Sequence, residues 1–196
     1  DILAPLISQL DGKPGGPGAG DHRATYNHFL RRRGKQLWMY NACPSFGCGR
    51  ADRLTNPLWA GWPSYAIDQP ATEQRAMGAL AYEYHATGEL YYDTTYNLTT
   101  AWQNQYAFGG NGDGNLFYPG TPKVIGGHHD IPIDSIRLKR IRDGHEDYEY
   151  LRLAQKRGHR KAARSIVRGL FPNMYSTNVP ASSVASAIQQ LAHLIG

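Results

Sequence analysis

Residues 112–151 read GDGNLFYPGTPKVIGGHHDIPIDSIRLKRIRDGHEDYEYL, and the rest of the chain is interpreted outward from them. Gly112-Asp113-Gly114 offers the free φ angles of a turn. Leu116-Phe117-Tyr118 then forms a short extended run that Pro119-Gly120 stops. Pro132 and Asp134 announce the next element, and Asp134 or Ser135 can accept from the free N–H groups of a helix start. Leu138, Ile141, His145, Tyr148 and Leu151 recur at helical spacing, which predicts one inward stripe of a long helix. Lys139, Arg140, Asp143, Glu146 and Glu149 fall on the opposite face and are expected to be wet.

Upstream, residues 1–6 (DILAPL), 36–41 (QLWMYN) and 89–92 (ELYY) read as three short buried strands. Between them lie a mobile loop over 13–20 (KPGGPGAG), a helix capped by Asp21 with Tyr26, Phe29 and Leu30 inward, and a long loop over 42–69. Residues 72–87 follow as a helix with Ala76, Leu80, Ala81 and Tyr84 on one side and Gly88 as its stop. After the turn at 112–120 come the long helix, a basic helix and a last helix over 182–195. Strands alternating with helices argue for parallel β/α units and an α/β fold class. Nothing marks a second domain, so 1–196 is one segment, with the strands and loops in 1–120 and the C-terminal helices in 121–196.

The stretch 112–151 resembles the C-terminal signature of a bacterial domain-of-unknown-function family related to glycoside hydrolase family 123. The residues that carry the resemblance are Gly112, Asp113, Gly114, Leu116, Tyr118, Pro119 and Gly120, then Pro132, Ser135, Ile136, Arg137 and Leu138, then Arg142, Asp143, Gly144, Asp147, Tyr148, Glu149, Tyr150 and Leu151. The resemblance implies the C-terminal portion of a (β/α)8 TIM-type barrel, about three β/α units followed by C-terminal helices. The three strands would then be its sixth, seventh and eighth. Such a portion leaves an unpaired parallel edge and an exposed core face. The polypeptide is therefore expected to continue N-terminal to Asp1, or a partner to supply the missing strands.

A barrel of this kind keeps its chemistry at the C-terminal ends of the strands. Pro5, Tyr40, Asn41, Tyr92 and Asp93 stand there, and the following loops add Phe46, Trp59, Trp62, Tyr96, Asn97 and Trp102. Aromatics beside Asn and Asp suit a sugar site, with flat apolar surface for ring faces and a few polar groups for hydroxyls. Tyr40, Asn41, Tyr92, Asp93 and Trp102 are the expected substrate-binding set, while Trp38 and Tyr91 are expected in the barrel or helix layer. The resemblance further implies an adjacent Asp-Glu pair on an earlier strand. Its Asp would orient the substrate's 2-acetamido nucleophile, and its Glu would act as general acid. No Asp-Glu dipeptide occurs here, and Glu146-Asp147 is reversed and helical, so no catalytic residue is assigned. Asp143, Asp147, Arg137 and Arg142 are expected to be structural, chiefly in helix-face ion pairs. The expected function is that part of a glycoside hydrolase 123-like protein which acts on or binds glycans, N-acetylhexosamine-containing ones among them. The acidic pair would lie outside this chain. A non-catalytic carbohydrate-binding or structural module is the rival, and whether the segment is an enzyme stays open.

Other classes fit less well. Hydrophobic content of 41% with 19% charge describes a globular chain, and no apolar run is long enough to span a membrane. A net charge of +5 raises nucleic-acid binding as a third reading. Arg157, Arg160, Lys161, Arg164 and Arg168, however, read as the solvated face of a helix whose apolar side is Ala163, Ile166, Val167 and Leu170. No cofactor is expected. Cys43 and Cys48 (CPSFGC) have the spacing of a small disulfide loop. Two thiols without a nearby His pair make a poor zinc site, so no metal is expected. A disulfide fits a secreted or cell-surface protein. Asn97-Leu98-Thr99 is a glycosylation sequon, and His128-His129-Asp130 is expected to be a polar loop.

Overall fold

The computed structural model describes residues 1–53, 55–106 and 109–196. In chain order they form β1 (Ile2–Leu3), α1 (Ile7–Leu10), β2 (Asp11–Gly12), β3 (Gly20–Asp21), α2 (Arg23–Leu30), β4 (Gln36–Asn41) and α3 (Cys43–Phe46). A 3-10 turn at Pro57–Trp59 precedes α4 (Ala71–Arg75), α5 (Met77–Glu83) and β5 (Gly88–Tyr91). Then come β6 (Phe117–Gly120), α6 (Pro122–Ile125), β7 (Ile131–Asp134), α7 (Ile136–Lys156), α8 (Arg160–Leu170) and α9 (Ala181–Ile195).

The three expected strands form one parallel sheet in the order β1-β4-β5, which makes this a mixed α/β chain. In β4 the period of two separates Leu37, Met39 and Asn41, all buried, from the half-buried Trp38 and Tyr40. Leu37 and Met39 join the main core with Met77, Leu80 and Leu151. Parallel register places Met39 beside Glu89, Tyr40 beside Leu90 and Asn41 beside Tyr91. Among the described residues β1 and β5 are the sheet's edges. Ile2 is 48% exposed and Leu90 38%, so the side opposite the core is partly open.

The helix layer departs from its expected form. The apolar periodicity of α7 put Leu138, Ile141, His145, Tyr148 and Leu151 inward. Leu151 is buried and Leu138, Ile141 and Tyr148 pack half-buried against the core as expected, but Arg137, Gly144, Asp147 and Ala154 are buried beside them and the His145 side chain is 61% exposed. Glycine explains why the buried face widens toward Gly144 and Asp147. A Cβ on Gly78 would lie 1.8 Å from the Gly144 carbonyl oxygen, and a Cβ on Gly144 would lie 2.3 Å from that of Arg75. Helices α5 and α7 thus cross in backbone contact, and this contact decides which side of α7 faces in. Asp147 is carried inward to Arg75, which donates to it from Nε and Nη2, both at 2.6 Å. The expected helix-face ion pairs occur only outside, where Arg142 meets Asp143 and Glu146.

Other differences are local. The helix expected over 72–87 is interrupted at Ala76, which keeps right-handed helical angles (φ −65°, ψ −25°), so the axis continues. The loop at 13–20 is fastened by the β2–β3 ribbon, and the Lys13 ammonium donates to the carbonyls of Pro57 and Ala60 at 2.5 and 2.8 Å. Residues 131–134, expected to lead into a helix, pair antiparallel with β6 before Ser135 caps α7 through the Leu138 N–H. Arg164 and Arg168 are not merely solvated. With Arg23 they surround the buried Glu83 at 3.0, 2.8 and 3.2 Å. Burial raises the Glu83 carboxyl, but hydrogen bonds from Arg164 and Arg168 overcome this and hold it below the usual range. Among the described residues no helix is long and apolar enough to cross a membrane.

Candidate functional site

Polar chemistry gathers where β4 and β5 end. The buried face of the sheet carries Asn41 and Tyr91 as register partners, with Glu89 one step behind. The Tyr65 hydroxyl donates to Glu89, and the Tyr65 ring meets Tyr91 edge-on, centroids 5.1 Å apart. Tyr91 in turn donates its hydroxyl to Asp113 Oδ1 at 2.7 Å and accepts from the Gly114 N–H at 3.0 Å. Burial, and then the neighbouring carboxylates Glu89 and Asp113, raise both tyrosines above the ordinary phenol range. Burial likewise raises Asp113, against the lowering effect of the Tyr91 hydrogen bond. At the outer end of the chain His145 Nε2 lies 3.6 Å from Glu89 Oε2, and that contact raises the imidazole above its usual value.

Asn41 is the exception in this network. It is fully buried, and neither amide atom has a hydrogen-bond partner among the described residues. The Tyr65 hydroxyl lies close enough to interact electrostatically, without the geometry of a hydrogen bond. Burying an amide in this way costs roughly 1–3 kcal/mol. The cost is borne at the C-terminal end of the central strand.

The loop after β5 is laid over the GDGN turn. Tyr96 N–H donates to the Gly114 carbonyl at 2.8 Å, and Leu116 and Phe117 both donate to the Thr94 carbonyl. Within this loop Asp93 Oδ1 accepts from the Thr95 N–H, closing its own turn. Asn97 follows on a turn, half-buried. Further on, Trp102 donates from Nε1 to the Pro119 carbonyl at 2.9 Å and rests on Tyr118, centroids 4.8 Å apart, while 42% of it stays exposed. Tyr118 is itself held by Gln105 and by the buried Arg137.

The expected substrate-binding residues therefore divide into groups. Tyr40 and Asn41 are sequence neighbours on a strand, so they face opposite sides of the sheet and cannot line one surface. Tyr92 is exposed just beyond β5. Trp102 is tied to β6 rather than to the strand ends. Tyr91, expected only to fill the interior, is the hinge of the polar network. Asp113, Glu89 and Tyr118 lie outside the expected site set, although Asp113 and Tyr118 are among the residues that carry the family resemblance, which is the signal that could have found them. Cys43 and Cys48 are joined by a disulfide, and Asp113 Oδ2 lies against both sulphurs, 2.9 Å from Cys43 and 3.5 Å from Cys48. His128, His129 and Asp130 are exposed.

The structure is thus a mixed α/β scaffold with a parallel sheet whose polar groups gather at one end of the strands. The family model described as glycoside hydrolase 123, catalytic domain, matches residues 29–154, and the chain belongs to this family. The matched span runs from the end of α2 almost to the end of α7 and includes every strand-end group above. No curated protein matches the chain.

Proposed function

We propose that this chain forms the C-terminal portion of a family 123 (β/α)8 barrel and supplies part of its glycan-binding wall. Its ligands are glycans, N-acetylhexosamine-containing ones among them, contacted by Tyr92, Asp93 and Trp102, with Tyr40 and Asn41 on opposite faces of the strand that ends beside them. The acidic pair comes from outside these residues. The half-open sheet supports this reading, because its uncovered side is where further strands of a barrel, or another chain, would pack. The disulfide fits a secreted or cell-surface setting. One observation carries the sugar reading: Trp102 is 42% exposed yet fixed on both sides, by the Pro119 carbonyl and by the Tyr118 ring. A rigid aromatic face open to water is what a sugar ring stacks on, and such a platform contributes on the order of 1–3 kcal/mol.

Trp102→Ala is expected to weaken binding of N-acetylhexosamine-terminated oligosaccharides tenfold or more, with little loss of thermal stability. Titration and scanning calorimetry on the same samples check both halves. A stability loss of roughly 3–5 kcal/mol with unchanged affinity per folded molecule would mark Trp102 as a core residue and remove it from the site. The second reading, a non-catalytic carbohydrate-binding module, is favoured by the lack of any Asp-Glu dipeptide. Glycan binding without turnover in the natural protein would select it.

A further inference from the structure

The contact between Asp113 and the two cysteines is not used by the proposed glycan-binding residues. Asp113 is 3% exposed, and while Tyr91 engages Oδ1, Oδ2 is turned to the sulphurs. A disulfide sulphur carries no proton, so in the oxidised protein this carboxylate oxygen faces sulphur lone pairs that cannot donate to it. Opening the disulfide turns the mismatch into a set of three anionic donors. The ligand atoms of Cys43, Cys48 and Asp113 all lie within 4.8 Å of one another. Tetrahedral zinc takes thiolates at about 2.3 Å and a carboxylate oxygen at about 2.0–2.2 Å, which spaces its ligands roughly 3.5–4 Å apart. Two sulphurs freed from their bond need only relax outward to reach those distances.

We propose that Cys43, Cys48 and Asp113 form a redox-gated site for a soft divalent metal ion such as Zn2+, closed by the disulfide and opened by its reduction. A dithiol supplies the two electrons and two protons: its own sulphurs join as a disulfide, and Cys43 and Cys48 become thiols. The metal ion then displaces the two thiol protons and binds two thiolates and the carboxylate, leaving one position for water or another small donor. The net charge of the three ligands, −3, is matched by the ion far better than by Arg137 and Arg53, whose charges reach Asp113 without a hydrogen bond to it. Both cysteines are half-buried, so a small dithiol can reach them, while Asp113 is held from behind by Tyr91. Gly110 completes the enclosure. A Cβ there would lie 2.8 Å from Cys48 Cβ and 3.1 Å from Asp113 Cβ, so a side chain at this position would wedge the two ligands apart. The C-x4-C spacing could not show this, because the third ligand lies 65 residues downstream of Cys48.

The test uses Cd2+ and Zn2+ on the purified protein with and without prior dithiol reduction, the reductant being removed under anaerobic conditions. The reduced protein is expected to develop thiolate-to-cadmium charge-transfer absorption that saturates at one ion per chain, and the oxidised protein none. Asp113→Asn is expected to lower affinity about tenfold or more, with Gly110→Ala acting in the same direction. X-ray absorption of the zinc-loaded unsubstituted protein should count two sulphurs and at least one oxygen, which keeps the test decisive should Asp113→Asn fail to fold. Absence of stoichiometric absorption after reduction, unchanged affinity in folded Asp113→Asn, or a shell of four sulphurs from two chains would each overturn the proposal.

Discussion

The helix layer and the strand ends of this protein bury charged and polar groups in opposite ways. In the helix layer the two buried acids described above have their counter-charges: Glu83 sits among three arginines, and Asp147 is held by both arms of Arg75. At the strand ends Asn41 has no hydrogen-bond partner among the described residues, and Asp113 presents an oxygen to two sulphurs. The first region is built to hold together. The second leaves its polar groups under-satisfied, a condition a ligand can relieve.

Three experiments can break or sharpen this contrast. Glu83→Ala should have the largest effect, because it removes the buried partner of three arginines; the roughly 3–5 kcal/mol of a fully buried ionic cluster is the upper bound, since the Arg23 and Arg168 side chains are 36% and 56% exposed. Urea denaturation measures it, and a loss under about 1 kcal/mol would mean that the cluster is screened rather than structural.

Glu73, on α4, tests the boundary of the contrast. It is 2% exposed, and burial raises its carboxyl from 4.5 to about 7 despite nearby Arg53 and Lys13. The folded protein then binds more protons than the unfolded chain between pH 4.5 and about 7, so its stability falls as pH rises through that window. The fall approaches about 3 kcal/mol if the shift is realised in full. Glu73→Gln should flatten that limb of the stability–pH curve, and an unchanged curve would place Glu73 among the well-paired acids.

Asn41→Leu should have the smallest effect on stability, a gain of about 1 kcal/mol or no change, since an unpartnered buried amide is exchanged for a side chain of similar size. The same variant should bind glycan more weakly. A loss above about 2 kcal/mol would show that Asn41 belongs with the satisfied groups after all.

Much of the sheet could be read from the chain. Runs such as QLWMYN are apolar enough to be strands wherever they lie, and the alternation with helices fixed their parallel sense. The inward side of α7 could be read only in part: Leu138, Ile141, Tyr148 and Leu151 do pack on the core, but the exposure of His145 and the burial of Gly144 and Asp147 were not legible. Counting apolar residues at helical spacing assumes that side chains keep helices apart, whereas Gly78 and Gly144 bring backbone to backbone and turn Asp147 inward. Residues 131–134 misled for a related reason: Pro132 and Asp134 are helix-entry residues, and only the partner strand β6 makes that segment extended. In the site, Tyr40 and Asn41 could have been separated in advance, because strand neighbours face opposite ways. Asp113 could not have been assigned, since its meaning depends on Tyr91 and the cysteines, far away in sequence.

Arg137 bears on the order of assembly. Its guanidinium donates to the carbonyl oxygens of Tyr65, Gly112 and Asn115 and to the Tyr118 hydroxyl. Peptide oxygens converging on one point repel one another until a cation arrives between them. The Ile67 N–H also donates to the Asn111 carbonyl, but the converging oxygens gain their counter-charge only when α7 docks, so the cluster is expected to close as a late step. Running backwards, the same logic makes it an early point of failure: once α7 lifts, the turn carrying Asp113 and the platform under Trp102 lose a shared anchor together. The binding surface and the long helix would then come undone as one cooperative unit.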